Sequence, residues 1–489
     1  MAVLSWPVAK AIAQPSAPTG RPEGTNLEAG ARLLKQQKYA EACEVLLRET
    51  QLHPKSAQGY YYLGLAQARL GNLPAGEKAL RRAVELDPRS VNAIYNLAVV
   101  LLEQKKAAQA IPYLERARRI GLRTPELSVN LIRAYLEQGD HDAAIREGGN
   151  VAQHFEKAPE FHLAIGKLFL AYGLHAQARV SLEKANQLAP ASPEIVLPLA
   201  DTCVRQNAPS RAYDLLQGVA TKAQGIPDYH YLLAQAHFAS GQREMAFEEI
   251  DQAIRLDPRN AWYLLTKARY YQKFGDQRRA VDILQNAEKL APTLPEIPYS
   301  AAVSYYIAED YEAAATLLNR ALRVDPGFDR AVFLLGSVRF AQGKTDEAEE
   351  LYRQAVQTKP KNPYYLCYYG MLLFTENRLP GAKEYFEKTL AAAPSYALAH
   401  YQLGRLLTRL DQYEQARPEL ERAIALQPDL YEAYYVLART YSKLGDKEKS
   451  KSAMATFQKY RTAEYNERQQ MLRQMQQTIQ QEIQSPRVP

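Results

Sequence analysis

The chain has 489 residues, a hydrophobic content of 47% and a formal net charge of +7 spread along its length. No run of five Lys/Arg occurs and no stretch approaches eighteen consecutive apolar residues, so neither a nucleic-acid-binding tail nor a bilayer span is indicated. Cys43, Cys203 and Cys367 are odd in number and include no CxxC, which argues against a disulfide framework and a zinc knuckle. Two counts are unusual: 33 tyrosines, and 28 prolines that would interrupt long helices unless they recur at helix ends.

Residues 1–13 (MAVLSWPVAKAIA) are apolar and close on Ala11-Ile12-Ala13, a triplet resembling a signal-peptidase site. A full signal peptide has a charged leading region and a longer apolar core, and both are missing. Residues 1–22 therefore read as a signal-peptide remnant or a disordered tail. The triplet tips localisation toward export, to the periplasm or cell envelope, over the cytoplasm.

From residue 23 the chain falls into register at a spacing of 34, and thirteen repeats fit without a gap up to residue 464. Position 8 of each repeat is Gly or Ala in twelve cases (Gly30, Gly64 and Ala98 are the first three); the exception is Ile132. Position 20 is small in all thirteen, and position 24 is mostly large and apolar, as in Leu80, Leu114 and Phe386. Position 32 is Pro in nine of the first twelve repeats, from Pro54 to Pro428.

This pattern predicts two helices per repeat, over positions 2–14 and 15–29. Small residues at 8 and 20 allow close approach of the pair, and bulk at 24 fills the space beside them. Proline at 32 stops the second helix. One such pair cannot bury its apolar face alone, so neighbours must stack. Repeats 4 to 6 depart from the pattern: Gly148-Gly149 fall where position 24 should be bulky, Pro198 lies inside a first helix, and Glu156 and Gln224 replace the position-32 proline. A bend or soft joint there, and ordinary drift, are both open. Residues 465–484 carry Leu472, Met475, Ile479 and Ile483 at spacings of three and four, which reads as a polar capping helix, with a coiled-coil arm as the alternative. Residues 485–489 read as a tail.

The period with its small residues and prolines resembles the tetratricopeptide repeat (TPR) family over residues 23–464. A fixed 34 argues against the pentatricopeptide relatives, whose period is 35. The resemblance implies an all-α, right-handed TPR superhelix (an α-solenoid) of about thirteen helix-turn-helix repeats plus the C-terminal capping helix. It implies a non-catalytic scaffold for protein–protein interaction, with no cofactor.

No HExxH, GxGxxG, GxSxG or GxxxxGK[ST] motif points to catalysis, and no catalytic residue is assigned. His230 and His237 share a helix face and could ligate a metal, but they sit where the family packs rings, so core packing is the reading and no metal is expected.

In this family the first helix (helix A) lines the concave groove, through positions 2, 5, 6, 9, 12 and 13. The resemblance thus places Tyr61, Tyr62, Tyr95, Asn96, Asn130, Arg133, Tyr231, Trp262, Arg269, Tyr299, Tyr364, Tyr368, Tyr401, Arg405, Arg409, Tyr435, Arg439 and Lys443 in a partner-binding groove. Tyrosine with arginine suits a binding surface, because both offer large contact area with a polar tip. Asn96 and Asn130 match part of the family's chaperone-carboxylate clamp, but neighbouring repeats lack its Lys and Arg. The partner expected is a protein or peptide segment of acidic character, held best by Arg405, Arg409, Arg439 and Lys443. The alternative is an exported envelope protein that binds polysaccharide or serves an export or assembly machine. No nucleic-acid partner is expected.

Overall fold

The computed structural model describes residues 25–152 and 154–462. The expected signal remnant or tail at 1–22, the capping helix at 465–484 and the tail at 485–489 lie outside them. The described residues form helices and no strand. No helix among them is long and apolar enough to cross a membrane.

The helices come in antiparallel pairs at the 34-residue spacing. Repeat 2 shows the pattern: helix A runs Ala57–Arg69 and helix B Leu73–Leu86. These are positions 1–13 and 17–30, so the predicted junction at 14/15 is corrected. The cause is position 15, which has positive φ in every repeat. It is Gly in seven repeats, including Gly71, Gly139 and Gly343, and Asn207, Asn377 or Asp411 in three more. Gln37, Lys105 and Glu309 take the same left-handed conformation, which an L side chain adopts at a cost. A helix cannot continue through such a residue, and within each compact body the chain reverses there.

Proline at position 32 sets the other end. The residue before a proline is pushed out of the helical region. Position 31 is accordingly non-helical in every repeat that carries the proline, for example Asp87 at φ −127° and Ala393 at φ −143°. Repeat 3 has Leu122 instead, and Gly121 ends its helix at φ +122°.

The core of each pair is a knob in a hole. A Cβ added to Gly64 would lie 2.6 Å from Leu80 Cγ, and one on Gly370 would lie 2.7 Å from Phe386 Cε1. Position 24 therefore seats directly on position 8 rather than beside it. The alanines at position 20 are fully buried from Ala42 to Ala416. Repeat 4 reverses the arrangement: Ile132 at position 8 is fully buried, and Gly148 at position 24 leaves room. A Cβ on Gly148 would lie 3.9 Å from Ile132 Cδ1 and 3.1 Å from Phe169 Cζ of the next repeat. The two departures from the pattern are one exchange of bulk, and helix B there (His141–Ala152) is unbroken.

A real break occurs in repeat 6, whose second helix splits into Pro209–Gln217 and Ala220–Ala223. Pro198 is accommodated inside Pro193–Arg205, where the Thr202 hydroxyl donates to the Pro198 carbonyl at 2.8 Å. The described chain forms two compact bodies, residues 25–241 and 242–462, which divide between the helices of repeat 7. Within each body, consecutive helix pairs stack on their neighbours.

Candidate interaction surface

The candidate residues on helix A separate by burial. In the N-terminal body, Tyr61, Tyr62, Tyr95, Asn96 and Asn130 are buried, not presented on a surface. Position 5 of one repeat meets position 6 of the next. Asn130 Nδ2 donates to the Tyr95 hydroxyl at 2.9 Å, and Asn96 Nδ2 to the Tyr61 hydroxyl at 3.4 Å. Burial pushes both phenols well above the ordinary tyrosine range. These residues form a rung between repeats, which explains why asparagine recurs at position 6.

Arg133 is likewise committed. Its side chain is 16% exposed and bonds Glu103 and Glu137, each at 2.8 Å. Those hydrogen bonds and charges, working against burial, raise its pKa further. Tyr231 is half-buried. His237 packs edge-on against Tyr213, and His230 Nε2 lies 2.9 Å from the Gln224 carbonyl oxygen. No cluster of metal-ligating side chains occurs among the described residues. The three cysteines are free and buried.

In the C-terminal body, Tyr299, Tyr368 and Tyr401 are buried, while Arg269 and Tyr364 are half-buried. Tyr299 lies beneath the Arg330 guanidinium, and Tyr368 meets Phe333 edge-on. Trp262 is 41% exposed and Tyr435 40%. The sequence cannot distinguish these outcomes, because a tyrosine serves equally in a core and on a binding face.

The basic residues of repeats 12 and 13 differ. Arg405, Arg409, Arg439 and Lys443 are all exposed. Arg405 and Arg409 sit on helix Ala397–Arg409, Arg439 and Lys443 on Tyr431–Lys443. The two helices are tied by a 3.0 Å hydrogen bond between the hydroxyls of Thr408 and Thr440. The guanidinium carbons of Arg405 and Arg409 lie 4.8 and 5.2 Å from the centroid of the buried Phe374 ring. Arg439 lies 5.9 Å from the Tyr435 ring. Among the described residues, none of the four pairs with a carboxylate; Arg409 donates once, to Asn377 Oδ1 at 2.9 Å. Arg409 and Lys443 end their helices, where a cation is favourable by about 0.3–1 kcal/mol. Arg405 and Arg439, four residues earlier, have no such reason to be basic. Phe374 was not singled out by sequence reasoning; its place at position 12, itself a groove position and one turn from position 9, is the signal that could have found it.

Family models agree with this repeat architecture. Tetratricopeptide repeat family models match residues 27–91, 69–123 and 299–363, 169–236 and 373–429, 227–260, 419–451 and 125–147. The BBSome complex member BBS4 of Bos taurus is 26% identical over 325 residues, 65% of this chain and 61% of that protein. The matched stretches cover between 29% and 64% of the curated relatives' own lengths. Among solved structures, the anaphase-promoting-complex hetero-tetramer Cut9–Hcn1 aligns at a TM-score of 0.46 and 14% identity, over 91% of this chain and 94% of that one. The human IFIT1 dimer with m7Gppp-AAAA aligns at 0.45 and 17% identity, over 77% and 91%. The family models, together spanning more than half of the sequence, show that the chain belongs to the tetratricopeptide repeat family.

Proposed function

We propose that this tetratricopeptide array is a non-catalytic scaffold that holds an extended, acidic protein segment on the helix A face of repeats 11 to 13. The observation that carries the reading is the strip of four exposed cations on two adjacent helices, backed by Phe374 and without carboxylate partners among the described residues. An array that leaves like charges side by side stores repulsion which an anionic partner relieves. Such complementarity also raises the rate of encounter and fixes register. Arg133 gives the internal contrast: the same position 9 in repeat 4 is neutralised by Glu103 and Glu137 at position 13.

The polysaccharide alternative needs exposed ring faces. Most of the candidate rings are buried or half-buried, which favours the protein segment.

The test is the double charge reversal Arg405→Glu with Arg439→Glu, followed by capture of partners from the native organism. Both side chains are exposed and each loses one cation–ring contact, so stability is expected to change by no more than about 1–2 kcal/mol. Partner affinity is expected to fall, and the wild-type affinity to weaken with salt. Undiminished binding by the variant at both low and moderate salt would refute the assignment.

A further inference from the structure

The pair Arg405 and Arg409 carries more than general positive charge. They stand four residues apart on one helix, so their side chains are neighbours on one face. Both guanidinium groups lie over the same ring, at 4.8 and 5.2 Å from the Phe374 centroid. That ring is buried and belongs to helix A of the preceding repeat, Pro363–Thr375, so it is a fixed platform. A cation held over a ring face is oriented as well as attracted.

Each guanidinium has five N–H donors in a planar fork. Among the described residues, this pair uses one of them internally, from Arg409 to Asn377. Both side chains are exposed, and most of the pair's donors are therefore left unspent. One carboxylate fills one fork. A phosphate carries nearly twice the charge at neutral pH and has three acceptor oxygens, enough to bridge two forks. Arg439 and Lys443 add positive charge from the next helix, which the Thr408–Thr440 hydrogen bond ties to this one.

We propose that Arg405 and Arg409, seated on Phe374, form a receptor for a phosphate group carried on a phosphorylated side chain of the bound segment. This rests on the segment-binding reading above and adds a switch to it: the scaffold takes its partner after phosphorylation.

The experiment uses the full chain, immobilised, against three degenerate peptide libraries with a fixed central phosphoserine, serine or glutamate. Retention of the phosphoserine library is expected to exceed the other two by about tenfold. Arg405→Gln with Arg409→Gln is expected to abolish that preference. A control of equal charge loss at exposed sites elsewhere, Arg278→Gln with Arg323→Gln, is expected to change retention less than about twofold. Melting followed by circular dichroism checks that both variants fold. Equal retention of the phosphoserine and glutamate libraries, both dependent on Arg405 and Arg409, would overturn the phosphate receptor and leave the acidic-segment reading standing. Equal losses in the pair variant and the control, or none in either, would overturn both. Inorganic phosphate binding as tightly as the phosphoserine peptides would assign the seat to free phosphate and overturn the peptide-borne proposal.

Discussion

The exchange of bulk in repeat 4 can be tested by undoing it. Ile132→Ala alone removes most of a fully buried side chain facing a glycine, so little nearby can collapse into the space. Such deletions cost about 2–5 kcal/mol. Gly148→Leu alone places four carbons where a Cβ already lies 3.1 Å from Phe169 and 3.9 Å from Ile132. Overpacking of that kind costs about 1–3 kcal/mol, offset by about 1 kcal/mol from replacing a helical glycine. Together the two changes recreate the pair of repeat 3, where Ala98 faces Leu114 and both are fully buried. The double variant is therefore expected to recover part of the Ile132→Ala loss, the 3.1 Å approach to Phe169 remaining, with a favourable coupling of about 0.5–3 kcal/mol. Long repeat arrays need not unfold in two states, so the readout is amide hydrogen exchange of helices Pro125–Gln138 and His141–Ala152, supported by urea melting. Additivity of the two single effects within about 0.5 kcal/mol would show that the residues do not share one space.

Three further outcomes are expected. Glu309→Gly relieves a left-handed residue at position 15 and should stabilise repeat 9 by up to about 1 kcal/mol, whereas Gly343→Glu at the same position of repeat 10 should destabilise by a similar amount; denaturant melting reads both. Gly404→Ala should destabilise, because its Cβ would sit 2.6 Å from Leu420 Cγ, while Gly149→Ala, with open space around it, should be neutral or better. His400 lies 2.6 Å from Glu419 through Nδ1 and 3.0 Å from the Pro394 carbonyl through Nε2, two acceptors that together require both nitrogens to donate. The hydrogen bond to Glu419, with that to Pro394, raises its pKa above 6.5 against burial and the nearby Arg422. Its stabilising effect is thus fully present below pH about 6.5 and lost as pH rises through the folded value. The melting difference between wild type and His400→Gln should shrink from pH 6 to pH 8.5; a constant difference would count against the imidazolium.

The helix pairing was legible in the sequence because two kinds of residue admit few alternatives. Proline at position 32 ends the second helix of every repeat that carries it, and a glycine at position 8 leaves one place for a neighbour's bulk. The reversal at position 15 was missed, and the second helix was expected to begin there: Gly71, Asn377 and Asp411 tolerate positive φ, but Lys105 and Glu309 at the same position obscured the pattern. Repeat 4 was opaque for another reason: Ile132 and Gly148 each look like an isolated defect until their proximity is known. Helix phase misplaced the tyrosines. Positions 5 and 6 turn toward the adjoining repeat as well as toward the groove, and only neighbouring atoms decide which. The four basic residues were easier, because an unpaired cation has few places to be except water.

The rung between Tyr95 and Asn130 has a consequence for editing the array. Tyrosine holds position 5 in repeats 2 and 3, and asparagine holds position 6 in repeats 3 and 4. Excising residues 91–124 would bring Tyr61 opposite Asn130 and restore the same bond with different atoms. Excising residues 125–158 would instead set Tyr95 against Ala164, stranding a buried hydroxyl at a cost of about 1–3 kcal/mol. Two adjacent modules of equal length are thus unequal as spare parts at this rung: one excision keeps the tyrosine–asparagine bond, though it also removes Glu103 from beside Arg133, and the other loses it.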